Sequence, residues 1–224
     1  MTQIIIDPGS THDGEKKKAL ELIEIMAEAG ADAVKFQLLT KKEEVGGNIG
    51  IDWDWLPDLI EWGRRMDIEV FASVFNKDGI KWLRHCLCKS IKFSYGMREL
   101  CADAILENTN LLNPFKDIYL SGDVMKAHPK ITTNLYCIPE YPVPYIIDFE
   151  NVFPLFDGFS DHTLGIKQTV TAIDMGAKYI EKHGQGPWHS NTPDGNFAIR
   201  PEEIRDLCQY ANDEQVRHKF RAED

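Results

Sequence analysis

Residues 159–165, FSDHTLG, and 179–184, YIEKHG, decide the fold. Each runs from a short apolar segment straight into charged and imidazole side chains, and each lies beside a helix-like stretch. The catalytic rim of a β/α barrel reads this way, because its strands end where chemistry begins. As neighbouring parallel strands of a closed sheet, the two segments deliver His162 and His183 side by side at their carboxyl ends. Two neutral imidazoles placed like that can share one divalent ion.

The rest of the chain repeats the same grammar. Ile4, Ile5 and Ile6 form an apolar run stopped by Asp7, Pro8 and Gly9, which reads as a buried strand ending in a turn. An amphipathic helix follows over about 15–29, with Ala19, Leu22, Ile23, Met26 and Ala27 on one face and Gly30 at its C-cap. Further strands are expected at 33–36, 69–73, 90–93, 117–121, 131–136, 158–160 and 177–180. Helices are expected over about 53–66, from a cap at Asn76 or Asp78 to Leu87, over 98–107, over 145–155, around Ile166 to Ile173, and over 201–217. Eight strands alternating with about eight helices fit an α/β fold of the (β/α)8 TIM-barrel type better than an open doubly wound sheet. The expectation is one compact barrel domain over residues 1–224.

Bulk properties agree with a small, soluble, intracellular protein. At 224 residues and 43% hydrophobic, the chain can bury one core, near the lower limit for a complete barrel. No apolar run approaches the ~20 residues of a membrane span, and the start MTQIIIDPG is unlike a signal peptide, so a cytoplasmic protein without membrane contact is expected. A net charge of −11 argues against nucleic acid as a partner. The five cysteines lack metal-finger spacing, and Cys86 and Cys88 read as packing in a helical stretch.

Polar residues collect at the expected strand ends: Asp7, Lys35, Gln37, Ser73, Lys92, Ser94, Ser121, Tyr136, Ser160, Asp161, His162, Glu181 and His183. Any one of these has an ordinary structural reading, but their coincidence at successive strand ends does not. Lys35 and Lys92 place two positive charges beside hydroxyls in an acidic protein, which is a site for phosphate or carboxylate. The Ser121–Gly122 turn lets backbone amides approach an anion. No P-loop, complete dinucleotide fingerprint, HExxH or GxSxG is present.

STHDG at 10–14, GADAVKFQ at 30–37, YPVPY at 141–145, FSDHTLG at 159–165, GAKYIEKH at 176–183 and PDGNFAIRPEEI at 193–204 resemble the barrel domain of the N-acetylneuraminate (sialic acid) synthase family. The likeness runs from about residue 4 to residue 207. It implies a metal-dependent aldol-type condensation of phosphoenolpyruvate with an amino sugar or related aldehyde, giving a keto acid and phosphate. It also implies His162 and His183 as ligands of a divalent ion, Mn²⁺ first, with Mg²⁺ or Co²⁺ as alternatives. Lys35, Ser73, Lys92 and Ser160 match donor-holding positions, with Ser94 and Ser121 beside them; Gln37, Tyr141, Glu181 and Asp194 match sugar-side positions. Asp13 or Glu181 is implied as the base that assists attack by water. A homodimer is the family's pattern.

The chain departs from that pattern at Tyr95, Tyr136 and Pro139, and the sequence to Asp224 does not include the small antifreeze-like domain that follows the barrel in the family. The departures touch the acceptor side more than the metal and phosphate side. Two other readings stand beside the synthase: a Schiff-base aldolase using Lys35, Lys92 or Lys182, and a non-catalytic barrel that binds a phosphorylated ligand.

Overall fold

A computed structural model describes residues 1–107, 110–123, 128–153 and 155–217. Eight parallel strands close in sequence order into a barrel: β1 Gln3–Asp7, β2 Ala33–Leu38, β3 Glu69–Val74, β4 Ser90–Phe93, β5 Asp117–Gly122, β6 Thr133–Cys137, β7 Gly158–Asp161 and β8 Tyr179–His183. The closing pair is β1 with β8, registered from Gln3 opposite Tyr179 to Asp7 opposite His183. Helices α1 Lys16–Ala29, α2 Leu56–Arg65, α3 Lys77–His85, α4 Arg98–Glu107, α5 Lys167–Asp174 and α6 Pro201–Asn212 cover the outside. Among the described residues no helix is long and apolar enough to cross a membrane.

Two apolar layers hold the barrel together. Inside it, Ile5, Ala33, Phe71, Tyr119 and Leu135 form a plug, with Phe71 stacked on Tyr119 at 5.5 Å between ring centroids. Between barrel and helices, the outward strand residues, such as Ile4, Ile6, Val34 and Phe36, meet Leu22, Ile23 and Met26 of α1. Side chains alternate along a strand, so residues two apart share a face. Lys35 with Gln37, Lys92 with Ser94, and Glu181 with His183 therefore all reach inward above the plug.

Local chemistry explains most element ends. Gly30 closes α1 in the left-handed region (φ 92°). Asn76 caps α3, its Oδ1 accepting from Gly79 N at 2.9 Å. At Gly158 a β-carbon would stand 2.1 Å from the Tyr179 carbonyl, so only glycine lets β7 lie against β8 at that level.

Several boundaries expected from sequence differ in the structure; β6 begins at Thr133 instead of 131 and β2 runs on to Leu38 instead of 36. Among the described residues of 145–155 no helix forms: after Pro139, Pro142 and Pro144 the chain stays irregular and packs Ile147, Phe149 and Val152 onto the barrel. The last strand runs over Tyr179–His183 instead of 177–180, because Glu181 and Lys182 are buried and ion-paired within it. Helix α3 ends at His85, before Leu87, which takes a left-handed conformation (φ 58°). Helix α6 is broken after Asn212, where Asp213 turns extended (φ −125°, ψ 113°), and helix resumes over 214–217.

Candidate functional site

The carboxyl ends of the strands open into a cavity of about 620 Å³, room enough for two small reactants at once. Its floor lies directly above the apolar plug and consists of charged groups. Lys92 Nζ donates to both oxygens of Glu181, at 2.7 and 2.8 Å. Ser160 Oγ donates to the same carboxylate at 2.8 Å. Lys35 Nζ donates to Asp7 Oδ2 at 2.6 Å and stands 3.8 Å from Glu181 Oε2. All four charged residues are almost fully buried.

Burial and pairing set the protonation states. Burial alone would raise the Glu181 carboxyl, but Lys35 and Lys92 outweigh it and hold the group below the ordinary carboxylate range. Asp7 is likewise lowered against the cost of burial, by Lys35 and then His183. The two lysines diverge. For Lys35, two nearby carboxylates overcome desolvation and raise its pKa. For Lys92, burial prevails over its single partner Glu181, with Lys35 opposing its charge, and the pKa falls.

Above the floor stand the two imidazoles, 5.5 Å apart between centroids. The His162 Nδ1 lies 3.1 Å from the Ile138 carbonyl, which can only accept, so Nδ1 carries the proton and Nε2 keeps its lone pair. Burial pushes His162 down to about 4, so the ring is neutral at physiological pH. His183 Nε2 lies 3.5 Å from Asp7 Oδ2 and Nδ1 lies 3.6 Å from Asp194 Oδ1. Beyond hydrogen-bond reach, Nδ1 is buried without a partner. Among the described residues no three His, Cys, Asp or Glu groups converge as metal ligands.

Aromatic side chains fix the rings. Tyr141 packs on His162 with centroids 4.2 Å apart, and Phe197 on His183 at 4.9 Å. Asp194 is anchored by Ser10, whose backbone N–H and hydroxyl donate at 2.7 and 2.5 Å. Gly9 makes room for that carboxylate: a β-carbon there would stand 2.4 Å from Asp194 Oδ2, and its φ is +53°.

The cavity gathers most of the residues singled out from sequence; Ser73, Asp13, Tyr136, Asp161 and Lys182 are not in its wall. Ser73 stands level with Gln37 and Lys92 but is fully buried, and its hydroxyl donates to the Phe36 carbonyl, 3.4 Å away. Asp13 lies outside the cavity, in an adjoining recess, bound by Lys18 at 2.7 Å and by Ser190 Oγ at 2.6 Å. Ser121 does line the cavity, and its buried hydroxyl has no protein partner. Lys182 points the other way, into the layer between barrel and helices, where it pairs with Asp161 at 2.9 Å.

Asp7, one of the strand-end residues, has no assigned role in the sequence reading, and two further contributors are not singled out in it. Asp7 ends β1 and joins Lys35, Gln37 and His183; its place at a strand end was the available signal. Cys137 and Phe197 also face the cavity. Nothing in their local sequence marks them.

A closed parallel barrel with buried lysines, a carboxylate and two imidazoles at its carboxyl end is the framework of a β/α-barrel enzyme. The sequence pattern of the NeuB family matches residues 43–219, and the chain belongs to that family. It is 27% identical to the N,N'-diacetyllegionaminic acid synthase of Campylobacter jejuni, over 92% of this chain and 74% of that one. It is 25% identical to the pseudaminic acid synthase of Helicobacter pylori, over 88% of this chain and 69% of that one. The crystal structure of N-acetylneuraminic acid synthetase from Leptospira borgpetersenii, in complex with citrate, superposes with a TM-score of 0.77 at 23% identity, covering 98% of this chain and 85% of that one. That likeness bears on the fold. Membership of a family of synthases agrees with the enzyme expected from the sequence.

Proposed function

We propose that this protein condenses phosphoenolpyruvate with an amino sugar or related aldehyde, forming a carbon–carbon bond and releasing phosphate and a sialic acid-like keto acid. The observation that carries the reading is the floor of the cavity: Lys35 and Lys92 flank Glu181 beneath His162 and His183, in a barrel of the NeuB family.

The floor suits a small, highly charged donor. Phosphoenolpyruvate brings a carboxylate and a phosphate, and two lysines in a dry site offset both far better than they could in water. Hydroxyls at Ser94, Ser121 and Ser160 add directed hydrogen bonds, and that of Ser121 is already without a protein partner. Gln37, Tyr141 and Asp194 line the same cavity and are assigned to the acceptor. Bond changes balance as follows. The donor's methylene carbon attacks the aldehyde carbon, whose oxygen takes a proton, and water adds to the oxocarbenium-like carbon left behind. That carbon's bond to the phosphate oxygen then breaks, and phosphate leaves.

Glu181 takes the role of base, since Asp13 sits outside the cavity. While two lysines face it, its carboxylate is a weak base. When the lysines turn to the donor's charges, its proton affinity rises at the step that needs it.

The residues present fit a divalent ion. His162 offers a free Nε2, His183 has a buried nitrogen without a partner, and Asp7 and Asp194 bring negative charge to the second ring. His162 and His183 would hold the ion, with Mn²⁺ the first choice and Mg²⁺ or Co²⁺ the alternatives. When bound, it supplies polarisation of the aldehyde oxygen.

The test is phosphate release from phosphoenolpyruvate, with and without Mn²⁺, across amino sugars, sugar phosphates and simple aldehydes. Metal-dependent release with one acceptor class, lost in His162→Ala and His183→Ala, is expected. Absence of both turnover and calorimetric binding of phosphoenolpyruvate would overturn the proposal. A Schiff-base aldolase is the second reading, favoured by the lowered pKa of Lys92. Borohydride with pyruvate traps a covalent adduct on that route alone. Lys182 is no candidate for the imine, since it faces away from the cavity.

On the family's pattern the chain pairs as a homodimer, which sedimentation velocity tests.

A further inference from the structure

Asp161 and Lys182 immediately precede the two cavity histidines and stand opposite each other in the β7–β8 register. Because side chains alternate, the histidines face the cavity while these two face the helix layer. Both are fully buried there. Lys182 Nζ donates to Asp161 Oδ2 at 2.9 Å and to the Thr163 carbonyl at 2.5 Å. Asp161 also accepts from Thr163 N at 2.7 Å and from Thr169 Oγ1 of α5 at 2.5 Å.

A buried ion pair is a poor source of stability, because desolvating two charges costs about as much as their attraction returns. An apolar pair would fill this space as well. What distinguishes this pair is its reach: it ties β7, β8, α5 and the start of the β7–α5 loop at one point. Thr163, held from both its N–H and its carbonyl, bridges to Val143, and Val143 N–H donates to the His162 carbonyl at 3.0 Å. The same stretch, at 141–143, carries Tyr141 onto the His162 ring.

We propose that the Asp161–Lys182 pair is a positioning clamp that sets the spacing of the His162 and His183 imidazoles from behind the barrel wall, and so sets the affinity of the ion they hold. The inference rests on the metal reading above. It assigns neither residue a contact with substrate. A fixed spacing lets the ion bind without paying to order its ligands; groups hydrogen-bonded directly to metal ligands typically change affinity by about 10- to 100-fold, and a support acting through the backbone belongs at the lower end of that range.

The test is the double variant Asp161→Asn with Lys182→Met, which removes both charges and leaves the amide able to serve Thr163 and Thr169. Mn²⁺ affinity is measured by calorimetry without substrates, alongside thermal unfolding and steady-state kinetics. The expected result is a folded protein with a near wild-type melting temperature, Mn²⁺ binding weakened about tenfold or more, and phosphoenolpyruvate binding unchanged. A folded double variant with wild-type Mn²⁺ affinity overturns the clamp. Wild-type protein that binds no Mn²⁺ overturns the metal reading instead, and the clamp with it. If the double variant fails to fold, Thr169→Val decides, since it removes one hydrogen bond at nearly constant volume: Mn²⁺ binding about threefold weaker upholds the clamp, and unchanged binding overturns it.

Discussion

Glu181 and Lys182 are adjacent on one strand, and each sits in a buried ion pair, yet the two pairs face opposite worlds. Glu181 meets Lys92 inside the cavity, where a ligand can take over either partner. Lys182 meets Asp161 behind the wall, where every partner is protein and nothing can exchange. One strand therefore carries a reactive face and a rigid face in alternation. The lesson is that a buried charge pair has no single meaning: its role follows from what else can reach it.

The sharpest break of this comparison comes at the inner pair. Lys92→Met should lower turnover by about a thousandfold or more, since it removes a charge aimed at the donor in a dry site. Stopped assays of phosphate release check this. If instead the variant works normally, the inner pair is structural too and the contrast fails.

Below the reactive face, the plug should behave in the opposite way. Phe71→Ala removes a ring that is 1% exposed and stacked on Tyr119, which should cost about 3–5 kcal/mol in urea unfolding. Lys92→Met should lose far more activity than Phe71→Ala, while leaving Glu181 with Lys35 as its remaining charged partner.

A third prediction concerns acid. Burial lowers His12 to about 4 from an ordinary value of 6.5, so the fold favours its neutral form. A base whose folded pKa is depressed contributes full stability above 6.5, loses it as pH falls from 6.5 toward 4, and changes no further below. The loss should approach about 3 kcal/mol, and His12→Gln should flatten that part of the stability profile. Thermal melts across this range check it.

The smallest effect is expected at the rim. Asn76 caps α3 and also donates to Glu43, at 2.9 and 3.2 Å, on the loop that walls the cavity. Asn76→Ala should cost about 1 kcal/mol in chemical denaturation and raise KM for the acceptor more than for the donor. Equal changes in both constants would mean that this wall does not discriminate between the reactants.

Much of the fold was readable because a barrel strand is a short apolar run with a polar end, and glycine stops such as Gly30 and Gly176 punctuate the helices. The false helix at 145–155 shows the limit: apolar Ile147, Phe149 and Val152 pack equally well from an irregular chain once prolines have broken the hydrogen-bond pattern. In the site, alternation within KFQ, KFS and EKH brought the pairs two apart to one face. Asp13 misled because its motif lies near the site in sequence, while the left-handed turn at Asp13 (φ 53°) leaves it outside the cavity, against Lys18. Phe197 escaped because its role is only contact with His183, which local sequence does not encode.

The inner face is proposed as the site where phosphoenolpyruvate reacts at carbon. Phosphoenolpyruvate carrying ¹⁸O in its bridging position, turned over with a competent acceptor, tests that directly. Carbon–oxygen cleavage predicts all of the label in the released phosphate and solvent oxygen in the new keto group. Label retained in the organic product would mean cleavage at phosphorus, and would contradict the proposed condensation.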